Sequence, residues 1–271
     1  MLLPPTKPHT METTMLHRVK VALGRIFLPC IEAAQIEPHP TLPAAASAMP
    51  WLPLEAWDAC AGPIPWQDID AEMVGRPCFV GLDLSCRTRF VTQINLYPPQ
   101  GGDTAWRVSC RCWMPSKFLR VRFETKHRAA YENWVACGAL LAEATEAVTQ
   151  EVIKSSVLKT AQASQSAEVV IDRWHQSRLV GHLWDAGLSV ASFGMGFPSL
   201  SPPSRILESL VQAGLIHHGG HPVLRWMVSN TAVTRDGNGA IKPIPAIDDA
   251  VIGGVVALVA ALGQATNAHE G

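Results

Sequence analysis

Three consecutive runs alternate apolar and polar residues with a period of two: CFVGLDL (78–84), FVTQINLY (90–97) and AWRVSCRCW (105–113). At that spacing successive side chains fall on opposite faces of a strand. Pro98, Pro99, Gly101 and Gly102 join the last two runs and favour a turn, so three antiparallel strands in succession are expected. The period then becomes helical over 128–147 and 149–163, before another strand AEVVID (167–172), a helix (175–186) and a strand LSVASF (188–193). Ser201 is a suitable N-cap, Pro202 suits the first helical position, and Ile206, Leu207, Leu210 and Val211 share one face of a helix that Gly214 ends. VLRWMVSNTAVT (223–234) reads as a strand pair or edge, RDGNG (235–239) as a tight turn, and 249–264 as a closing helix.

A meander followed by alternating helices and strands describes an α/β fold: a mixed sheet flanked by helices, in the order expected of ribonuclease H-like domains. In that order the first and fourth strands lie parallel at the centre. The domain is expected over 76–265, with a tail at 266–271. Residues 1–75 read as an irregular N-terminal arm: an unstructured lead-in (1–15), a helix (16–36) and a Pro/Ala-rich linker (37–53) leading to a boundary near 75. The longest apolar stretch, 250–263, is short of the ~20 residues a membrane span requires and is expected to be a buried helix, so no membrane partner is expected.

Asp83, Asp172 and Asp248 stand where apolar runs end or a final helix begins. Carboxylates at strand ends are how a sheet protein builds an oxygen-ligand site for Mg²⁺ or Mn²⁺. With strands one and four adjacent, Asp83 and Asp172 would share the carboxyl edge where α/β sheets place their sites. Like charges a few ångströms apart repel, and two divalent ions would compensate them while activating water for phosphodiester hydrolysis. Asp83, on the central strand, is the expected bridging ligand. The alternative is that each Asp merely caps a turn or, at Asp248, a helix.

Lys plus Arg number 22 against 23 Asp plus Glu, a formal charge of −1, which counts against a global basic field for nucleic acid. The nearest approach to a basic surface is Arg87, Arg89, Lys117, Arg120, Arg122, Lys126 and Arg128. Seven cysteines at irregular spacing suggest reduced thiols in a cytoplasm rather than a disulfide framework, with Cys110 and Cys112 as inward strand positions rather than zinc ligands. HHGGH (217–221) lacks the spacing of a helical metal pair and reads as a turn with exposed imidazoles. GMGF (194–197) resembles a phosphate-cradling loop only superficially.

The segments GLDLS (81–85), YENWVACGAL (131–140), VVIDRW (169–174), GMGFPSLSPPSRILESLVQAGLIHHGGHPVLRWMVSN (194–230), RDGNGAIKP (235–243) and IDDAVIGGVVALVAALG (247–263) together resemble the C-terminal nuclease half of the large terminase subunit of tailed phages. The resemblance runs collinearly over residues 50–265. It implies a ribonuclease H-like endonuclease that uses Mg²⁺ or Mn²⁺ to cut concatemeric double-stranded DNA during packaging in the host cytoplasm. It carries over Asp83, Asp172 and Asp248 as catalytic metal ligands, Asp249 as a neighbouring ligand, and Arg173 and Trp174 as the residues following the second carboxylate. Two departures stand out. Arg89 occupies a place where the family usually has Asp, and the loop between IKP and IDD is short. The sequence has no G-x-x-x-x-G-K-[ST] loop, so the resemblance further implies a separate ATPase half, with a small terminase subunit and a portal as partners. The alternatives are a catalytically silent, truncated prophage remnant acting as an interaction module, and a ribonuclease H-like recombinase.

Overall fold

The structure, a computed structural model, describes residues 51–270 apart from 87–88, 124–126, 173–177 and 248–249. Two short helices, α1 (Leu54–Ala59) and α2 (Ile69–Glu72), precede the meander β1 (Cys78–Cys86), β2 (Phe90–Tyr97) and β3 (Trp106–Pro115). Helices α3 (Ser116–Phe123) and α4 (Arg128–Ala136) follow, then β4 (Leu141–Glu143), α5 (Gln150–Ala163), β5 (Ala167–Asp172), α6 (Arg178–Asp185) and β6 (Ser189–Phe193). The chain continues through α7 (Phe197–Gln212), β7 (Ile216–His217), α8 (Pro222–Ser229), β8 (Thr231–Arg235), β9 (Ile241–Pro245) and α9 (Gly253–Glu270).

The main sheet has the order β4-β3-β2-β1-β5-β6, with β7 also pairing β3. β1 pairs β2 antiparallel and β5 parallel. The first long strand and the strand at 167–172 are therefore central neighbours, the ribonuclease H-like arrangement.

Alternation divides the sheet into two apolar faces. Val80, Leu82, Val169 and Ile171 face one cluster with Ile153 and Val157 of α5 and Leu179 and Leu183 of α6. On the opposite face Ile94, Leu96, Val108, Cys110 and Val170 pack with α9. Val255, Leu258, Val259, Ala261, Leu262 and Ala265 are all buried on α9, as expected of a helix that is apolar all round. It lies between the sheet and α7 and α8, in contact with β1, β2, β5, α7 and α8. Close approach depends on missing side chains: a Cβ on Gly81 would stand 2.2 Å from the Ala257 carbonyl oxygen.

Several local expectations change. The helix expected over 128–147 ends at Ala136, because Gly138 turns to φ 78° and the chain reopens as β4. Helix α7 begins at Phe197 rather than beyond Ser201. Gly196 is its extended N-cap, Pro202 and Pro203 lie inside it, and the Ser201 hydroxyl accepts the Ile241 N–H instead of capping. The 223–234 segment is helix α8 followed by β8, not a strand pair. Pro222 opens α8, and the His221 ring accepts the Leu224 N–H at 3.2 Å. A short apolar run is compatible with either period, and here the cap decides it.

Residues 51–75, expected to end an arm, pack into the domain. Trp57 is fully buried, and Trp51, Leu52, Cys60, Ile69 and Met73 are buried with it. Composition pointed to a linker, whereas burying these large apolar side chains stabilises the packed arrangement by roughly 2 kcal/mol each. Asp70 of α2 reaches the sheet, accepting from Asn95 at 3.0 Å and Tyr97 at 2.9 Å and pairing with Arg111. The expected helix at 16–36 lies outside the described residues. No described helix is long and apolar enough to cross a membrane.

Candidate active site at the ends of strands β1 and β5

The parallel register pairs Leu82 with Ile171. Asp83 and Asp172 are the next residues along their strands, so they stand side by side at the carboxyl edge of the sheet. Parity sets their face: Asp83 follows Gly81, which abuts α9, and Asp172 follows Val170, which belongs to the α9-side core. Both line one cavity of about 430 Å³. Immediately after Asp83 the β1–β2 register shifts, and the Ser85 N–H donates to Asp83 Oδ1 at 3.1 Å. This irregularity fixes the carboxylate's direction where the strand ends.

The far wall of the carboxylate's niche is the start of α9. A Cβ built on Gly253 would sit 1.8 Å from Asp83 Oδ2. Asp83 therefore lies against the opening of α9, in space that only a glycine leaves. Asp248 and Asp249 lie outside the described residues, but the segments on either side, Pro245 and Ala250–Gly253, border the same cavity. Two carboxylates on one face of a sheet edge form an oxygen donor set suited to a hard divalent cation. Among the described residues no group of three or more metal-ligating side chains forms.

Of the expected basic residues, Arg89 and Arg122 line the cavity. Lys117 pairs with Glu146 at 2.8 Å and Arg128 with Glu132 at 2.6 Å, away from it. Arg120 is exposed; Arg87, Lys126, Arg173 and Trp174 lie outside the described residues. Lys242 on β9 also lines the cavity and went unrecognised in the sequence. Reading IKPIP as an alternating strand, with Lys242 on the opposite face from Ile241 and Pro243, was the available signal. Met195 of the GMGF segment reaches the cavity, and Gly196 there serves as the N-cap of α7.

The HHGGH imidazoles are not exposed as expected. His218 and His221 are each 1% exposed. His218 stacks on Trp57 with ring centres 4.2 Å apart, its Nε2 lies 2.8 Å from the Trp57 carbonyl, and its Nδ1 accepts the Gly220 N–H. The glycines permit this: Gly219, at φ 66°, passes so close to Trp66 that a Cβ would stand 2.3 Å from the Trp66 nitrogen. Burial pushes His218 down to about 4 and His221 down to about 3. Both rings bind protons more weakly folded than unfolded, so stability is fully present above about pH 6.5 and drains as pH falls through those values. A loss of about 3 kcal/mol from His218 alone is expected between pH 6.5 and 4, measurable as a falling urea midpoint. His218→Gln should flatten that slope.

Cys110 and Cys112 are buried on the α9 side with sulfurs 3.6 Å apart. Burial pushes the Cys110 thiol well up, which disfavours the thiolate a metal would need. Cys60, Cys78, Cys110 and Cys112 are free thiols, as expected, whereas Cys137 is disulfide-bonded. Spacing in sequence does not reveal which sulfurs meet in space.

Residues 41–270 match the family model described as terminase large subunit, endonuclease domain. The chain belongs to that family. The terminase large subunit of Enterobacteria phage HK97 is 28% identical over 222 residues, covering 81% of this chain and 42% of that protein. Protein YmfN of Escherichia coli strain K12 is 25% identical over 229 residues, 82% of this chain and 50% of that one. The crystal structure of the HK97 bacteriophage large terminase superposes with a TM-score of 0.69 at 27% identity, covering 80% of this chain and 43% of that chain. This terminase nuclease-family chain thus spans half or less of the length of the curated relatives it matches.

Proposed function

We propose that this terminase-family chain is a divalent-metal-dependent DNA endonuclease that cuts concatemeric viral DNA during packaging in the host cytoplasm. The observation that carries this reading is the adjacency of Asp83 and Asp172 at the same end of neighbouring parallel strands, in one cavity. Asp83 and Asp172 would hold Mg²⁺ or Mn²⁺, with Asp83 shared between two ions and Asp248 and Asp249 completing the ligand set. When bound, the ions supply an activated water and charge stabilisation for the leaving oxygen of a phosphodiester. The chain's own part is to present the two carboxylates in a fixed direction. The Ser85 N–H and the opening of α9 confine Asp83, and the parallel register brings Asp172 beside it. A separate ATPase half, a small terminase subunit and a portal are the partners this reading requires.

Supercoiled plasmid is the direct test. The intact chain is expected to nick it with Mn²⁺ and to stop when EDTA is added. A chain that is folded by circular dichroism yet leaves the plasmid intact would instead favour the silent interaction module, with Arg89 in the cavity wall as the departure responsible.

A further inference from the structure

Cations collect around the carboxylate cavity although the chain as a whole has a formal charge of −1. Arg89, Arg122 and Lys242 reach its wall from three separate places: the β1–β2 turn, α3 and β9. A metal site alone gains nothing from them, because each repels a divalent ion. A polyanion occupying the cavity together with the metal would be attracted by all three.

Each of these cations is also held by an aromatic ring. The Arg122 guanidinium carbon lies 4.8 Å from the centre of the Phe118 ring and that of Arg89 lies 5.9 Å from the same ring. Lys242 Nζ lies 5.5 Å from the Phe197 ring centre. Every cation–ring contact found among the described residues involves one of these three side chains. A ring face fixes where a cationic head sits while contributing no formal negative charge. The rings themselves are placed by the fold. Phe118 precedes Arg122 by one turn of α3, and Phe197 opens α7, against which β9 packs.

We propose that Lys242, Arg122 and Arg89 form a ring-supported cradle for the sugar-phosphate backbone of a nucleic acid. The cradle grips phosphates flanking the one presented to Asp83 and Asp172. This rests on the nuclease reading and narrows it. The contact is made by the cavity wall, including the β8–β9 hairpin, and not by the outer cations Lys117 and Arg128, which do not border the cavity.

The test is equilibrium binding of a fluorescent DNA duplex, followed by anisotropy without divalent ions over roughly 50 to 200 mM KCl. The intact chain should show a steep salt dependence. Lys242→Gln should weaken binding about threefold to tenfold and make the log–log slope shallower by about 0.9, the share of one phosphate contact. Lys242→Arg should restore both, and Phe197→Ala should weaken binding although the charge remains. Lys117→Gln should leave the slope as it was. An unchanged slope in Lys242→Gln, an equal change in Lys117→Gln, or no salt-dependent binding by the intact chain would each overturn the cradle. No cleavage is read in this assay, so a failure of the nuclease reading, seen as absent nicking with Mn²⁺, is scored separately.

Discussion

Asp83→Ala and Asp172→Ala are each expected to reduce Mn²⁺-supported plasmid nicking by about a thousandfold or more. A bound divalent ion contributes several kcal/mol to a phosphoryl transition state, and every ~1.4 kcal/mol is a factor of ten in rate, so losing one ligand of a shared site removes most of the acceleration. Neither side chain is part of the apolar core, and both are only half-buried at the cavity edge. The circular dichroism spectrum should therefore be unchanged. Lys117→Ala, on an exposed ion pair away from the cavity, should nick as the parent does. Cutting that survives both aspartate changes would remove the assignment from these residues.

Gly253→Ala should separate function from stability. Alanine in place of glycine usually favours a helix by up to about 1 kcal/mol, and Gly253 has no positive φ to forbid the change. On propensity alone the variant should be at least as stable. Its methyl group, however, would stand 1.8 Å from Asp83 Oδ2, so the carboxylate must leave its position. A displacement of about 1 Å at a reacting centre costs on the order of a hundredfold in rate. The expected result is a thermal midpoint near the parent's without metal, with Mn²⁺ binding weakened about tenfold and nicking reduced about a hundredfold. Unaltered Mn²⁺ affinity and nicking would mean that Asp83 does not need this niche.

The strands were legible because their alternation is strong and local. The runs at 78–84, 90–97 and 167–172 match β1, β2 and β5 closely, and the adjacency of Asp83 and Asp172 follows from the topology those strands imply. What stayed hidden depends on contacts between distant residues. Trp51 sits in a Pro/Ala-rich stretch that looks like a linker, and Trp57 just beyond it, until both are seen in the core. His218 looked exposed beside two glycines until Trp57 stacks on it from 161 positions away. Lys242 was invisible for the same reason, since only the packing of β9 on α7 brings it to the cavity. Gly253 gave no signal of its own, because its importance lies in the side chain it lacks.

Nuclease activity at this sheet edge requires Asp83 and Asp172 to hold metal together. Anomalous diffraction at the manganese edge from crystals of the intact chain soaked in Mn²⁺ tests this directly. A peak within coordination distance of carboxylate oxygens of both residues is the expected result, and it should disappear in Asp83→Ala. A manganese peak bound elsewhere, or none at this edge while the ion occupies other sites, would contradict it.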